Sequence, residues 1–141
     1  MSAEYEAWKS AVSSVLVWPQ RTTVYTDASG TFFRGNYVVF FPSMPDVESE
    51  RFNAPASAVS RRDVEVGWKL VATTAEALTG TSAAPGGALG LLSGLIGREL
   101  IVAGRSCSPL EVESSGPVSF DKEAGGLFFI DGFARFTSRP A

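Results

Sequence analysis

At 141 residues, 45% hydrophobic and 11% aromatic, the chain is long enough for one domain with a packed core and too apolar to be disordered. A formal charge of -3 leaves no basic footprint for nucleic acid, and nine of the twelve cations are arginines scattered along the chain. With no histidine and a single cysteine, Cys107, neither a nucleophile–histidine triad, a cysteine-rich zinc site nor an internal disulfide can be built.

The first element is a helix over Ser2 to Val17, because Tyr5, Trp8, Val12, Val15 and Leu16 recur at three- and four-residue spacing. Ser2 is positioned to cap it, and Trp18-Pro19 ends it, since a residue before proline is pushed out of the α region. The acidic start of this segment lacks the basic and long apolar regions of a secretion signal, so a soluble, cytoplasmic origin is expected. Arg21 to Thr26 is β-rich, and Asp27-Ala-Ser-Gly30 reads as a turn. Asn36 to Phe41 is a continuous apolar run between Gly35 and Pro42, the pattern of a strand buried on both faces. Pro42 to Pro55 is polar and broken by prolines, a long exposed loop with room for a short edge strand near Glu50 to Phe52.

Ala58 to Thr73 is expected to be a long strand. Val64, Val66, Trp68, Leu70 and Ala72 alternate with Asp63, Glu65, Gly67 and Lys69, which places the first set in the core. Thr74 to Gly87 reads equally as linker or helix. Ala83 to Ile96 is apolar and helical in spacing, but glycines 86, 87, 90 and 94 each cost about 1 kcal/mol relative to alanine in a helix interior. Burial of Leu89, Leu92, Leu95 and Ile96 must hold that helix, with Pro85 in its first turn and Gly97 as its left-handed stop. Arg98 to Arg105 then reads as a short strand, Arg105 to Pro109 as a polar turn, and Leu110 to Glu113 as another strand. Asp121 to Gly126 is a hairpin loop. The final strand, Leu127 to Thr137, sets Phe129, Phe133 and Arg135 against Phe128, Ile130 and Phe136 on its two faces.

Candidate chemistry is sparse. Glu111 and Glu113 share a strand face, which reads as a solvated face rather than an acid–base pair. Gly86, Gly87 and Gly90 lack the Lys-Ser/Thr of a phosphate loop and follow no strand. Cys107 has only Arg105 near it in sequence to lower its pKa and reads as a structural thiol. Arg61-Arg62 suits exposed charges or an intersubunit salt bridge. Phe32-Phe33 and Phe40-Phe41 are core candidates, with Phe32-Phe33 also able to form an exposed patch for a partner. No catalytic residue, cofactor site or metal site is expected.

The order of these elements resembles a known family. An N-terminal helix, a Val-Tyr-Thr-Asp segment, a Tyr-Val-Val-Phe-Phe-Pro strand with a polar loop, an aromatic-centred alternating strand, a helix and Gly-Arg-Glu-Leu-Ile-Val-Ala-Gly-Arg are similar to the tail terminator (tail completion) proteins of long-tailed phages of actinobacteria. The resemblance runs from about Trp8 to Phe136. It departs from the family at Ala83 to Ile96, where the usual Ala, Arg and Asp give way to Gly and Leu.

The resemblance implies an α+β domain covering residues 1–141: a mixed, largely antiparallel sheet with the N-terminal and central helices on one face. It implies a virion structural protein and not an enzyme. Six copies would form a ring at the head-proximal end of the tail tube, ending tube polymerisation and joining the tail to the head connector or stopper. DNA would pass through the lumen without specific binding, with the protein in the host cytoplasm during assembly and in the virion tail afterwards. Its partners would be itself, the major tail tube protein and the connector, with no membrane. Closing a ring takes two different patches per subunit. The loops and strand ends nominate Glu48, Glu50, Arg51, Phe52, Arg61, Arg62, Asp121, Lys122 and Glu123 as interface residues. The alternatives are another head–tail connector, a tail-tube subunit, or a small enzyme or ligand-binding domain.

Overall fold

One strand organises the sheet. Strand β7 (Leu127–Pro140) pairs along one edge with β3 (Arg62–Ala72), antiparallel over the full length of β3. Along its other edge it takes three short antiparallel strands in succession: β6 (Ser119–Asp121), β5 (Glu111–Ser114) and β4 (Arg105–Cys107). Beyond β3 lie β2 (Tyr37–Pro42), antiparallel, and the two-residue β1 (Gln20–Arg21), parallel to β2. The computed structural model describes residues 3–42, 61–83, 85–122 and 126–141. Within them the protein is α+β, with a mixed, largely antiparallel open sheet.

Helices α1 (Ala3–Val15), α2 (Ala75–Thr79) and α3 (Gly87–Ser93) cover one face. The alternation of β3 holds as expected: Val64, Val66, Trp68, Leu70 and Ala72 are all buried beneath the helices. From α1 come Trp8, Val12 and Leu16, with Trp8 meeting Phe40 edge-on at 5.6 Å. Leu78 of α2 and Ala88 and Leu92 of α3 complete the layer, together with Leu95. The Trp68 indole lies across β7 at Gly132. A β-carbon there would meet Trp68 Cζ2 at 2.5 Å and overlap the Glu113 carbonyl, so only glycine fits.

Several expectations need correction. The segment after Arg21 is not a continuing strand. It bends, places Tyr25 in left-handed backbone at φ 70° and rejoins through a single Thr26–Phe32 bridge. The expected turn at Asp27 to Gly30 is present, with Asp27 Oδ1 accepting from the Ser29 and Thr31 amides. Strand β2 is buried at Tyr37 to Phe40, but Phe41 is half exposed. The ambiguous stretch after Thr74 contains α2, whose first turn is capped by the Thr74 hydroxyl.

Helix α3 is shorter than its apolar spacing suggests. Pro85 lies outside it, bridged to Gly80, and the chain turns from Gly94 to Gly97, so Ile96 is 57% exposed instead of buried. Arg98 to Arg105 does not form a strand; it makes only isolated bridges at Glu99 and Val102. The strand comes later, at β4, because Gly104 (φ 72°) turns the chain so that Arg105 to Cys107 meets the end of β7. Cys107 is therefore buried in a strand and not in a polar turn. The last strand also runs three residues past Thr137, with Ile130 and Phe136 on the core face and Phe133 and Arg135 outward, as expected.

Candidate interaction surfaces

The side chains with chemical potential are mostly absorbed into structure. Glu4 sits on the buried stripe of α1 and is fully shielded from solvent. Its Oε1 accepts from Arg62 Nη1 at 3.0 Å and from the Ser138 hydroxyl at 3.2 Å, with Arg105 Nε 3.4 Å away. Ser138 also accepts from Arg105 Nε at 2.5 Å, so four elements meet at one carboxylate. Burial alone would raise the Glu4 pKa. The backbone amide, Arg62 and Ser138 outweigh it and hold the carboxyl below its usual range. Nothing in local sequence announced this network. The one available signal was a carboxylate on the same helical stripe as Trp8 and Ala11.

A second cluster lies on the other face of the sheet. Lys69 Nζ sits 4.0 Å from the Phe129 ring centroid and 4.9 Å from that of Tyr25, and donates to the Tyr25 hydroxyl at 3.1 Å. Burial lowers the Lys69 pKa, opposed by Asp131 and Asp121. Burial, followed by the hydrogen bond to Asp121, pushes the Tyr25 hydroxyl up to about 12. The Tyr25 amide donates to the Tyr37 hydroxyl at 2.7 Å, which pins the left-handed turn. This cluster locks residues 24–33 over Tyr37, Val39 and Val71.

Burial likewise raises the Cys107 thiol, so it carries little thiolate at neutral pH. Among the described residues no three acidic or thiol groups converge as a metal site, and no helix is long and apolar enough to cross a membrane.

The nominated interface residues do not come together. Arg61 pairs with Asp63 at 2.9 Å on the surface, while Arg62 is turned inward to Glu4. Asp121 ends β6, tied to Tyr25, and Lys122 beside it is exposed. Arg62 faces Ser138 and Asp121 faces Leu127, so the two groups flank opposite ends of β7, about 36 Å apart at the rise of an extended strand. Glu48, Glu50, Arg51, Phe52 and Glu123, with the rest of the expected 42–55 loop past Pro42, lie outside the described residues.

What the sequence left unmarked is the open half of the outer face. A row crosses the sheet from Phe41 through Gly67 to Phe133 and Glu113, and the two phenyl rings flank a trough of about 370 Å³ floored by the glycine. The next row is charged: Glu65 pairs with Arg135 at 3.4 Å, and Arg135 lies 3.8 Å from Glu113. Such exposed pairs contribute little stability. Beside them, where β4 and β5 leave the edge of β7, opens a cleft of about 890 Å³ walled by Ile96, Pro109, Asp63, Glu65 and Glu111. Comparison with protein families, with characterised proteins and with solved structures finds no match for this chain.

Proposed function

We propose that the protein is a ring-forming virion subunit, a tail terminator that caps the head-proximal end of a phage tail tube and joins it to the head connector. The observation that supports this reading best is the asymmetry of the sheet. Three helices cover one face, while among the described residues half of the other is left with Phe41 and Phe133 beside a bare glycine. Apolar surface left uncovered on a sheet is suited to a protein partner rather than a small molecule, because the troughs are shallow and their rims charged. The resemblance of the sequence to terminator proteins points the same way, and the α+β sheet with helices on one face is the architecture that resemblance implied.

In this role the charged ends of β7 and the open face divide the work. One set of contacts closes the ring of six and another seats it on the tube. The negative overall charge suits a lumen that lets DNA pass without holding it. Negative-stain electron microscopy of the purified protein, alone and with tail tubes, tests the reading. Discrete short rings, or tubes capped at one end, are expected. Long tubes formed by the protein alone would make it a tube subunit, and a uniform monomer that leaves tubes uncapped would reject the assignment.

A further inference from the structure

The open half of the outer face has a counterpart at that face's covered end. Residues 26–32 form a tight turn stiffened by Asp27. Its Oδ1 accepts from the Ser29 amide at 2.8 Å, the Ser29 hydroxyl at 2.6 Å and the Thr31 amide at 3.1 Å. At the end of this turn Phe32 projects into solvent, 54% exposed, while its neighbour Phe33 packs edge-on against Tyr37 at 5.1 Å. The Arg21 guanidinium lies 4.7 Å from the Phe33 ring centroid, and Arg34 is exposed on the other side of Phe33 in the chain. An exposed phenyl ring is thus presented from a hydrogen-bonded turn, with one arginine over its neighbour Phe33 and another two residues further along the chain.

The cleft beside β5 complements it in sign and offers apolar walls. Its walls include the exposed Ile96 and Pro109, and its volume of about 890 Å³ accommodates a phenyl side chain. Asp63, Glu65 and Glu111 line it and Glu113 stands beside Glu111 on the same strand face. These four carboxylates stand against the guanidiniums of Arg61 and Arg135, an excess of two negative charges. Knob and cleft also lie at opposite ends of the outer face. Residues 24–33 pack over Val71 and beside Phe129, whereas Glu65 and Arg135 line the cleft six residues away along β3 and β7, about 20 Å at the rise of an extended strand. Two unlike, well-separated patches of opposite charge are what a head-to-tail contact requires.

We infer that the Phe32 knob with Arg21 and Arg34 of one copy docks in the Ile96–Glu111 cleft of the next, and that this is the repeating contact of the assembly. The inference rests on the ring reading above but fixes which surfaces meet. Phe32 desolvates against Ile96 and Pro109, and the arginines answer the surplus carboxylates at the rim. Rim charges of this kind set orientation and pairing more than raw affinity, and they weaken with salt.

The test is a charge reversal read by analytical ultracentrifugation, with circular dichroism confirming the fold. Arg21→Glu with Arg34→Glu, or Glu111→Lys with Glu113→Lys, is expected to weaken self-association about a hundredfold, since each sets like charges face to face. Mixing the two variants in equal amounts is expected to restore it, because each reversed patch then finds a reversed partner. Phe32→Ser, which keeps every charge, is expected to weaken association at least tenfold. Because Arg21 rests on Phe33, the glutamate-to-lysine variant and Arg34→Glu alone serve as reversals that leave that stacking intact. Rings that survive the reversals, or variants that stay apart when mixed, overturn this contact and leave the ring reading standing. A wild-type chain that never self-associates overturns both.

Discussion

The two faces of the sheet are built by different rules. The helix-covered face packs its largest side chains, Trp8, Trp68, Leu70 and Leu92, into one continuous cluster, and Glu4, the one fully buried charge among the described residues, is held by two arginines and a serine. Among the described residues the outer face is covered only at one end, by residues 24–33. Its remainder alternates aromatic rings with paired surface charges and finishes in a cleft. A side chain in the first region answers to the fold; one in the second has little to hold up within its own chain. Substitutions should therefore separate the two faces cleanly, and the open region is where the proposed contacts between subunits would lie.

Trp68→Ala should do most damage. It removes a fully buried indole from the centre of the helix-covered face and is expected to cost about 3–5 kcal/mol, read as a fall in the midpoint of urea unfolding. A melt near wild type would mean that the two faces have been assigned the wrong way round.

Glu4→Gln probes the one ionic point on the same face. Removing the charge leaves Arg62 and Arg105 without their anion and should cost about 3 kcal/mol at neutral pH. The folded-state pKa of Glu4 is depressed, so its contribution is present above the ordinary carboxylate pKa and lost as pH falls through the folded value. Wild type and variant should therefore converge in acid. Unfolding curves that stay parallel down to low pH would show that Glu4 titrates elsewhere.

Phe133→Ser should have the smallest effect on the monomer, under about 1 kcal/mol, because the ring is already 40% exposed and loses mainly its contact with Arg135. Its expected signature is fewer rings or capped tubes by electron microscopy at unchanged melting temperature. A drop in stability comparable to that of Trp68→Ala would erase the distinction between the faces.

How much of this was legible depended on the range of the forces involved. The faces of β3 and β7 follow from a period of two, which Val64 to Ala72 and Phe128 to Phe136 display openly. The stripe of α1 was equally plain at Trp8 and Val12. Residues 98–107 were misread because a β-rich run becomes a strand only where an edge is free. The edge of β7 was shared out among β6, β5 and β4, so Leu100 and Val102 were buried against other elements while Ile101 was left 93% exposed. Ile96 failed for a related reason: helical spacing was extended past the turn that ends α3. The Glu4 anchor spans 58 residues to Arg62 and 134 to Ser138. No local pattern encodes such meetings.

The position of β7 also governs when this molecule can exist at all. Every other strand except β1 and β2 hydrogen-bonds to it, and β2 reaches the sheet only through β3. During synthesis β3 has only β2 beside it until residues 127–140 emerge, so completion of the sheet is late, non-local and slow for a chain of this length. The amides of β7 should exchange with solvent only through global opening, while those of β1 exchange through local fraying. A sheet built this way closes in a single step, when residues 127–140 pair at once with β3 and with the three short strands.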